Sequence, residues 1–169
     1  MDKLRIAVAA LLAACAAVSG PAMADEAKRL VSAGNWEAYV YTEASGKVCY
    51  AAARANAPKE KERSATAIAI THRPKSPGEV SLIAPYGFKK DSDAEIQIGG
   101  MKHAFFTKGG SAWAKDSTAD KAIIAAMAKG KEVVVKATPA KGAAITDTIP
   151  LKGFSDALAA IDKACGVKR

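Results

Sequence analysis

The side chains with the widest chemical repertoire in this sequence are 2 histidines and 3 cysteines, and their positions limit what they can do. His72 and His103 lie too far apart in sequence for local geometry to make them a metal pair or a base with its orienting partner. His72 stands in the run His72-Arg73-Pro74-Lys75-Ser76-Pro77-Gly78, which is dense turn punctuation, and reads as a solvated turn residue. His103 falls in an alternating segment and reads as a strand residue engaged in cross-strand packing or hydrogen bonding. Asp91, Asp93 and Glu95 alternate as calcium-ligating carboxylates could. The fuller oxygen set and fixed glycine of a calcium loop are missing, so the outer face of a strand accounts for them. No nucleophile elbow, dinucleotide-binding or phosphate-cradling glycine loop, H-E-x-x-H or C-x-x-C motif occurs. The expectation is a non-enzymatic chain without metal or cofactor. The competing expectation is a periplasmic hydrolase or metal-dependent enzyme using His103 and nearby acids.

The cysteines divide by context. Lys3 and Arg5 precede an apolar run from Ile6 to Val18, Ser19-Gly20-Pro21 breaks it, and Ala22-Met23-Ala24 places small residues at both cleavage positions. Residues 1–24 therefore read as a secretory signal peptide cut before Asp25, because the run falls short of the roughly 20 apolar residues a spanning helix needs. Leu12-Ala13-Ala14-Cys15 also fits the pattern at which bacterial lipoproteins are cleaved and acylated, so a lipid anchor on Cys15 is the alternative. Cleavage leaves Cys49 and Cys165, the one possible intramolecular pair in an oxidising compartment, with two free buried thiols as the other option. Bridging them would close nearly the whole domain and stabilise it by roughly 4 to 5 kcal/mol in the chain-entropy model.

Charge narrows the partners. Lys and Arg number 25 against 17 Asp and Glu, a net charge of +8 from which the signal peptide takes one. Arg73, Lys75, Lys89 and Lys90 are candidates for a basic contact surface if folding collects them on one face, and otherwise they solubilise. Export removes cytoplasmic nucleic acid as a partner and leaves an anionic envelope component or an acidic protein, met through a salt-sensitive contact. A periplasmic or secreted destination is expected, and nothing after the signal peptide is apolar for long enough to span a membrane.

These residues need elements to hold them. Asp25 to Gly34 is short and polar and reads as a flexible leader or a brief helix. Trp36, Ala38 and Val40 alternate with Glu37, Tyr39 and Tyr41, the sign of a strand, and Ala44-Ser45-Gly46 turns the chain into a second strand carrying Cys49. Asn56 to Ser64 reads as an exposed loop. Further strands fall at Ala65 to Thr71, Glu79 to Ala84, Ala94 to Ile98, Lys102 to Thr107, Ser111 to Ala114, Lys131 to Ala137 and near Thr146 to Leu151, with Gly99-Gly100 as a tight hairpin. Asp116 or Ser117 caps a helix whose stripe is Ile123, Ile124 and Met127 and which Gly130 ends. In the last helix Phe154, Ala157, Leu158, Ile161 and Cys165 share a face, so Cys165 points inward. Eight or nine strands and two helices, the last one C-terminal, favour one mostly β domain over residues 25–169, an antiparallel β-sandwich.

Several of these residues form a larger pattern: Trp36, Cys49-Tyr50-Ala51, Tyr86-Gly87-Phe88-Lys89, Ala112-Trp113, Ala126-Met127-x-x-Gly130, Thr146-Asp147-Thr148, and Leu151-x-Gly153-Phe154-x-x-Ala157 ending at Cys165. Together they resemble the bacterial invasion-associated locus B family over roughly residues 34 to 165. The resemblance implies an exported, immunoglobulin-like β-sandwich of the bacterial cell envelope with no established enzymatic activity. Trp36 and Trp113 would then be core fillers, Gly130 and Gly153 helix boundaries, and Cys49 with Cys165 a staple. Many relatives carry additional cysteines near Ser111-Ala112-Trp113, where this chain has none. A binding module with a basic surface is the functional expectation, and a secreted, host-directed adhesion or invasion factor is its alternative.

Overall fold

A computed structural model describes residues 26–57 and 64–169. The proposed signal peptide, Cys15 and the centre of the Asn56–Ser64 loop lie outside the described residues. The elements run β1 (Lys28–Ala33), β2 (Trp36–Glu43), β3 (Gly46–Arg54), β4 (Ala67–Arg73), β5 (Ser76–Ile83), β6 (Ala94–Ile98), β7 (Met101–Lys108), β8 (Ser111–Ala114), α1 (Ser117–Lys129), β9 (Glu132–Ala137), β10 (Ile145–Pro150) and α2 (Phe154–Cys165). The strands form one antiparallel sheet in the order β1-β2-β3-β4-β5-β8-β7-β6-β9-β10. The mostly β, antiparallel architecture with a C-terminal helix is as expected, and its layers belong to one continuous sheet joined where β5 meets β8.

Period-two alternation gives this sheet a single apolar face. In register, Trp36 opposes Ala53, Ala38 opposes Ala51, Ile70 opposes both Ala51 and Val80, and Leu82 opposes both Ile68 and Ala112. Phe105, Ile96, Val135 and Ile149 continue the same face toward the other edge, and all of these residues are buried. Burying that face requires the sheet to fold on itself. Its two ends meet where Asn56 N–H donates to the Thr148 carbonyl at 2.9 Å and Trp36 Nε1 donates to the Pro150 carbonyl at 3.0 Å. Trp36 also packs edge-on against Phe154, with 4.8 Å between ring centroids, so one side chain joins β2, the end of β10 and the start of α2.

The helices close what the strands leave open. α1 is capped by Asp116, whose carboxylate accepts from the Thr118 and Ala119 N–H groups, and Ile123, Ile124 and Met127 face inward. Asp120 in its first turn reaches out instead and accepts from the Val80 N–H at 2.9 Å, fixing α1 to β5. α2 buries Phe154, Ala157, Leu158 and Ile161. It starts at Gly153, whose left-handed φ of 91° and contact with β1 leave no room for a Cβ, which would overlap the Ala33 carbonyl.

Four expectations change. Residues 28–33 are neither leader nor helix but the edge strand β1, whose register shifts between Arg29 and Val31. That irregularity flips the inward parity and erases the period a central strand would show. His72 is not a turn residue: β4 continues through Arg73 and carries it inward, in line with Ile68 and Ile70. Trp113 is not a core filler, because Ala112 and Ala114 take the inward positions of β8 and the indole stays half-buried on the outer face. Asp91 and Asp93 are exposed loop residues preceding β6, and only Glu95 sits on the outer face of a strand, where it pairs with Lys102.

Candidate functional site

β3 and β4 set Cys49 opposite His72 on the inner face, and α2 lies over both. Cys49 is bonded to Cys165, with 6.1 Å between their Cα atoms, so the end of the chain is tied to an early strand. One turn before Cys165, Asp162 Oδ1 lies 2.8 Å from His72 Nε2. The same carboxylate accepts from Arg169 Nε at 2.9 and 3.2 Å. His72 is 1% exposed, and burial holds its pKa below the ordinary range more strongly than Asp162 raises it. The neutral imidazole therefore donates from Nε2, and Nδ1 is left buried without a hydrogen-bond partner.

A histidine held by a carboxylate is half of a nucleophile-activating set. Here it borders a sulfur already spent in a disulfide, and the arrangement orients α2 on β4. His103 stands on β7 opposite Ile96, with Nε2 buried and unpartnered, and makes no hydrogen bond or ion pair with a carboxylate among the described residues. The two histidines remain apart, on β4 and β7. No group of three or more His, Cys, Asp and Glu able to hold a metal occurs among the described residues.

The basic candidates are split. Arg73 and Lys75 sit at the β4–β5 hairpin, whereas Lys89 and Lys90 follow the far end of β5, an 8-residue strand. That length puts the two pairs roughly 20 Å or more apart along the sheet. Arg73 is already paired with Glu79 at 3.2 Å. Lys75, Lys89 and Lys90 are exposed and make no ion pair among the described residues.

An arrangement on the outer face was not apparent in sequence. Tyr39, Tyr41 and Tyr50 cluster on β2 and β3, with 5.1 Å between the stacked rings of Tyr39 and Tyr50. Trp113 on β8 stacks on Phe106 of β7 at 5.6 Å. Between these aromatic groups, β4 and β5 contribute the small side chains Ala69, Thr71 and Ser81 together with the Arg73–Glu79 pair and the exposed Ile83, and a shallow trough runs from Tyr50 to Trp113. Burial raises the pKa of Tyr41 and Tyr50, and the bond to Glu37 raises that of Tyr39, so all three phenols keep their protons at neutral pH.

Fold and site thus define a disulfide-stapled antiparallel β protein whose two histidines stand in separate places, on β4 and β7. The family model of invasion associated locus B (IalB) proteins matches residues 36–162, and the chain belongs to that family. Its fold is similar to that of invasion associated protein B from Bartonella henselae, with 18% identity, a TM-score of 0.58, and 83% of this chain and 98% of that one covered. No curated protein matches the chain in sequence.

Proposed function

We propose that this IalB-family protein is an exported, non-enzymatic module of the cell envelope that binds an anionic envelope component or an acidic protein through exposed lysines. The observation that carries this reading is the unpaired positive charge: the chain has a net +8, and Lys75, Lys89 and Lys90 project without acidic partners among the described residues. Two clusters about a β-strand apart suit an extended polyanionic surface better than a single small anion. The disulfide supports export, since such bonds persist in oxidising compartments. The two histidines support a non-catalytic role, one locked beneath α2 and one facing apolar side chains. Among the described residues no helix is long and apolar enough to cross a membrane.

Cosedimentation with phosphatidylglycerol vesicles tests the charge argument. Binding should be strong at low salt, fall steeply with added salt, and weaken in the Lys89→Glu/Lys90→Glu variant, while phosphatidylcholine vesicles bind little. Equal binding to both vesicles, or an unchanged double variant, would remove the basic surface as the cause. The name of the Bartonella neighbour favours a second reading, a secreted factor directed at host cells. Finding the protein in culture supernatant rather than in the periplasmic fraction would favour that destination.

A further inference from the structure

The trough on the outer sheet face has the composition of a binding site that the basic-surface reading does not use. We infer that it binds a neutral glycan, a short run of uncharged sugar rings seated between Tyr50 and Trp113. Three observations carry this. The first is geometric: flat aromatic side chains stand on β3 and β8, the two strands between them keep Ala69, Thr71 and Ser81 low between the rings, and aromatic rings pack well against the apolar C–H face of a sugar ring. Spacing between neighbouring strands places those walls roughly 14 Å apart, enough for more than one sugar ring.

The second observation concerns the floor. Thr71 and Ser81 are 8% and 9% exposed, both line the trough, and neither hydroxyl has a hydrogen-bond partner among the described residues. Both hydroxyls open into the trough rather than into the core, so at its base they are complementary to the hydroxyl rim of a sugar. The third is charge. On a molecule carrying +8, the trough is balanced: its charged lining residues, Arg73 and Glu79, pair with each other at 3.2 Å. A polyanion would find no excess cation here, and a purely apolar partner would bury the free hydroxyls and the Arg73–Glu79 pair at a cost. A neutral polyhydroxylated chain meets both conditions.

The two tryptophans make the test direct. Trp36 is fully buried, so a ligand-induced change in indole emission reports Trp113. The intact protein is titrated with maltohexaose, cellohexaose and N-acetylchitohexaose at low and high salt. At least one should shift the emission saturably and equally at both salt concentrations. Trp113→Ala and Tyr50→Ala should weaken binding of that sugar about tenfold or more by calorimetry. Trp113→Phe should retain most of it, which separates loss of the ring from loss of the fold, and Lys89→Glu should bind as wild type. The inference is overturned if none of the three sugars binds at millimolar concentration, if binding disappears with salt, or if Trp113→Ala binds unchanged. An emission shift that follows protein dilution without sugar would also overturn it, assigning the face to a second copy of the chain. Because sugar binding is expected to ignore salt and vesicle binding to depend on it, failure of either reading is separable from failure of the other.

Discussion

At the scale of single residues, His72 shows how burial sets chemistry. Desolvation is the main cause of its lowered pKa, opposed by the bond to Asp162. A folded-state pKa below the unfolded value of about 6.5 means that the unfolded chain takes up the proton more readily. The contribution of His72 is therefore whole above about pH 6.5 and declines as pH falls below that value toward the folded pKa. Urea midpoints at about pH 7.5 and about pH 5.5 should show the wild type losing stability at the acidic end. His72→Gln should start about 1–3 kcal/mol less stable, with Asp162 left short of a donor, and lose less on acidification. Parallel pH slopes in the two proteins would clear His72 of the effect. The inward position of His72 was missed in sequence although it extends the parity of Ile68 and Ile70, because the proline-rich run that begins there concealed that strand β4 continues two residues into the turn signal. Trp113 misled for the opposite reason. Its bulk suggests the core, yet strand parity gives the inward positions to Ala112 and Ala114, and parity prevails because moving one residue would turn the whole strand over.

At the scale of elements, α2 is held in three ways: an apolar stripe, the Asp162–His72 bond and the disulfide. The stripe was plain in sequence because its 3.6-residue period needs no partner to be seen. β1 was not, because an edge strand with shifted register and one solvated side has no period to display. Removing the disulfide should separate these contributions. Cys49→Ala/Cys165→Ala should lower the unfolding free energy by about 2–4 kcal/mol, somewhat less than the chain-entropy value because an unfolded chain with residual structure has less entropy to gain, while α2 stays docked through Phe154 and Ile161. Retained helical circular dichroism with a lowered urea midpoint is the expected result, and loss of folding altogether would show that the stripe and the Asp162–His72 bond together cannot dock the helix. Gly153→Ala attacks the same element from its other end. A Cβ there would meet the Ala33 carbonyl while the backbone holds φ at 91°, so a loss of about 2–4 kcal/mol is expected, with β1 amides losing hydrogen-exchange protection first.

At the scale of the molecule, the same excess of positive charge should give two opposite responses to salt. Among the described residues the ion pairs that offset it are few and mostly exposed, among them Arg29–Glu37, Lys102–Glu95 and Lys115–Asp116, and each such pair is worth about 1 kcal/mol or less. Repulsion among the remaining cations acts over the whole surface and falls as salt shortens the screening length to about 10 Å near 0.1 M. Screening removes more repulsion than attraction in a chain of net +8, so the thermal midpoint should rise as salt increases from very low concentration to about 0.15 M. Vesicle binding, which uses those same charges, should fall over that range. Lys89→Glu/Lys90→Glu lowers the net charge and should flatten both trends together. A midpoint that drops with salt in the wild type would mean that its specific ion pairs outweigh the diffuse repulsion, and the lysines would then have to be explained by local structure. Sequence already showed the sign and size of this charge. What it could not show was the split of Arg73 and Lys75 from Lys89 and Lys90, because which loops share an end of the sheet depends on the length of β5 and on how ten strands close around one core.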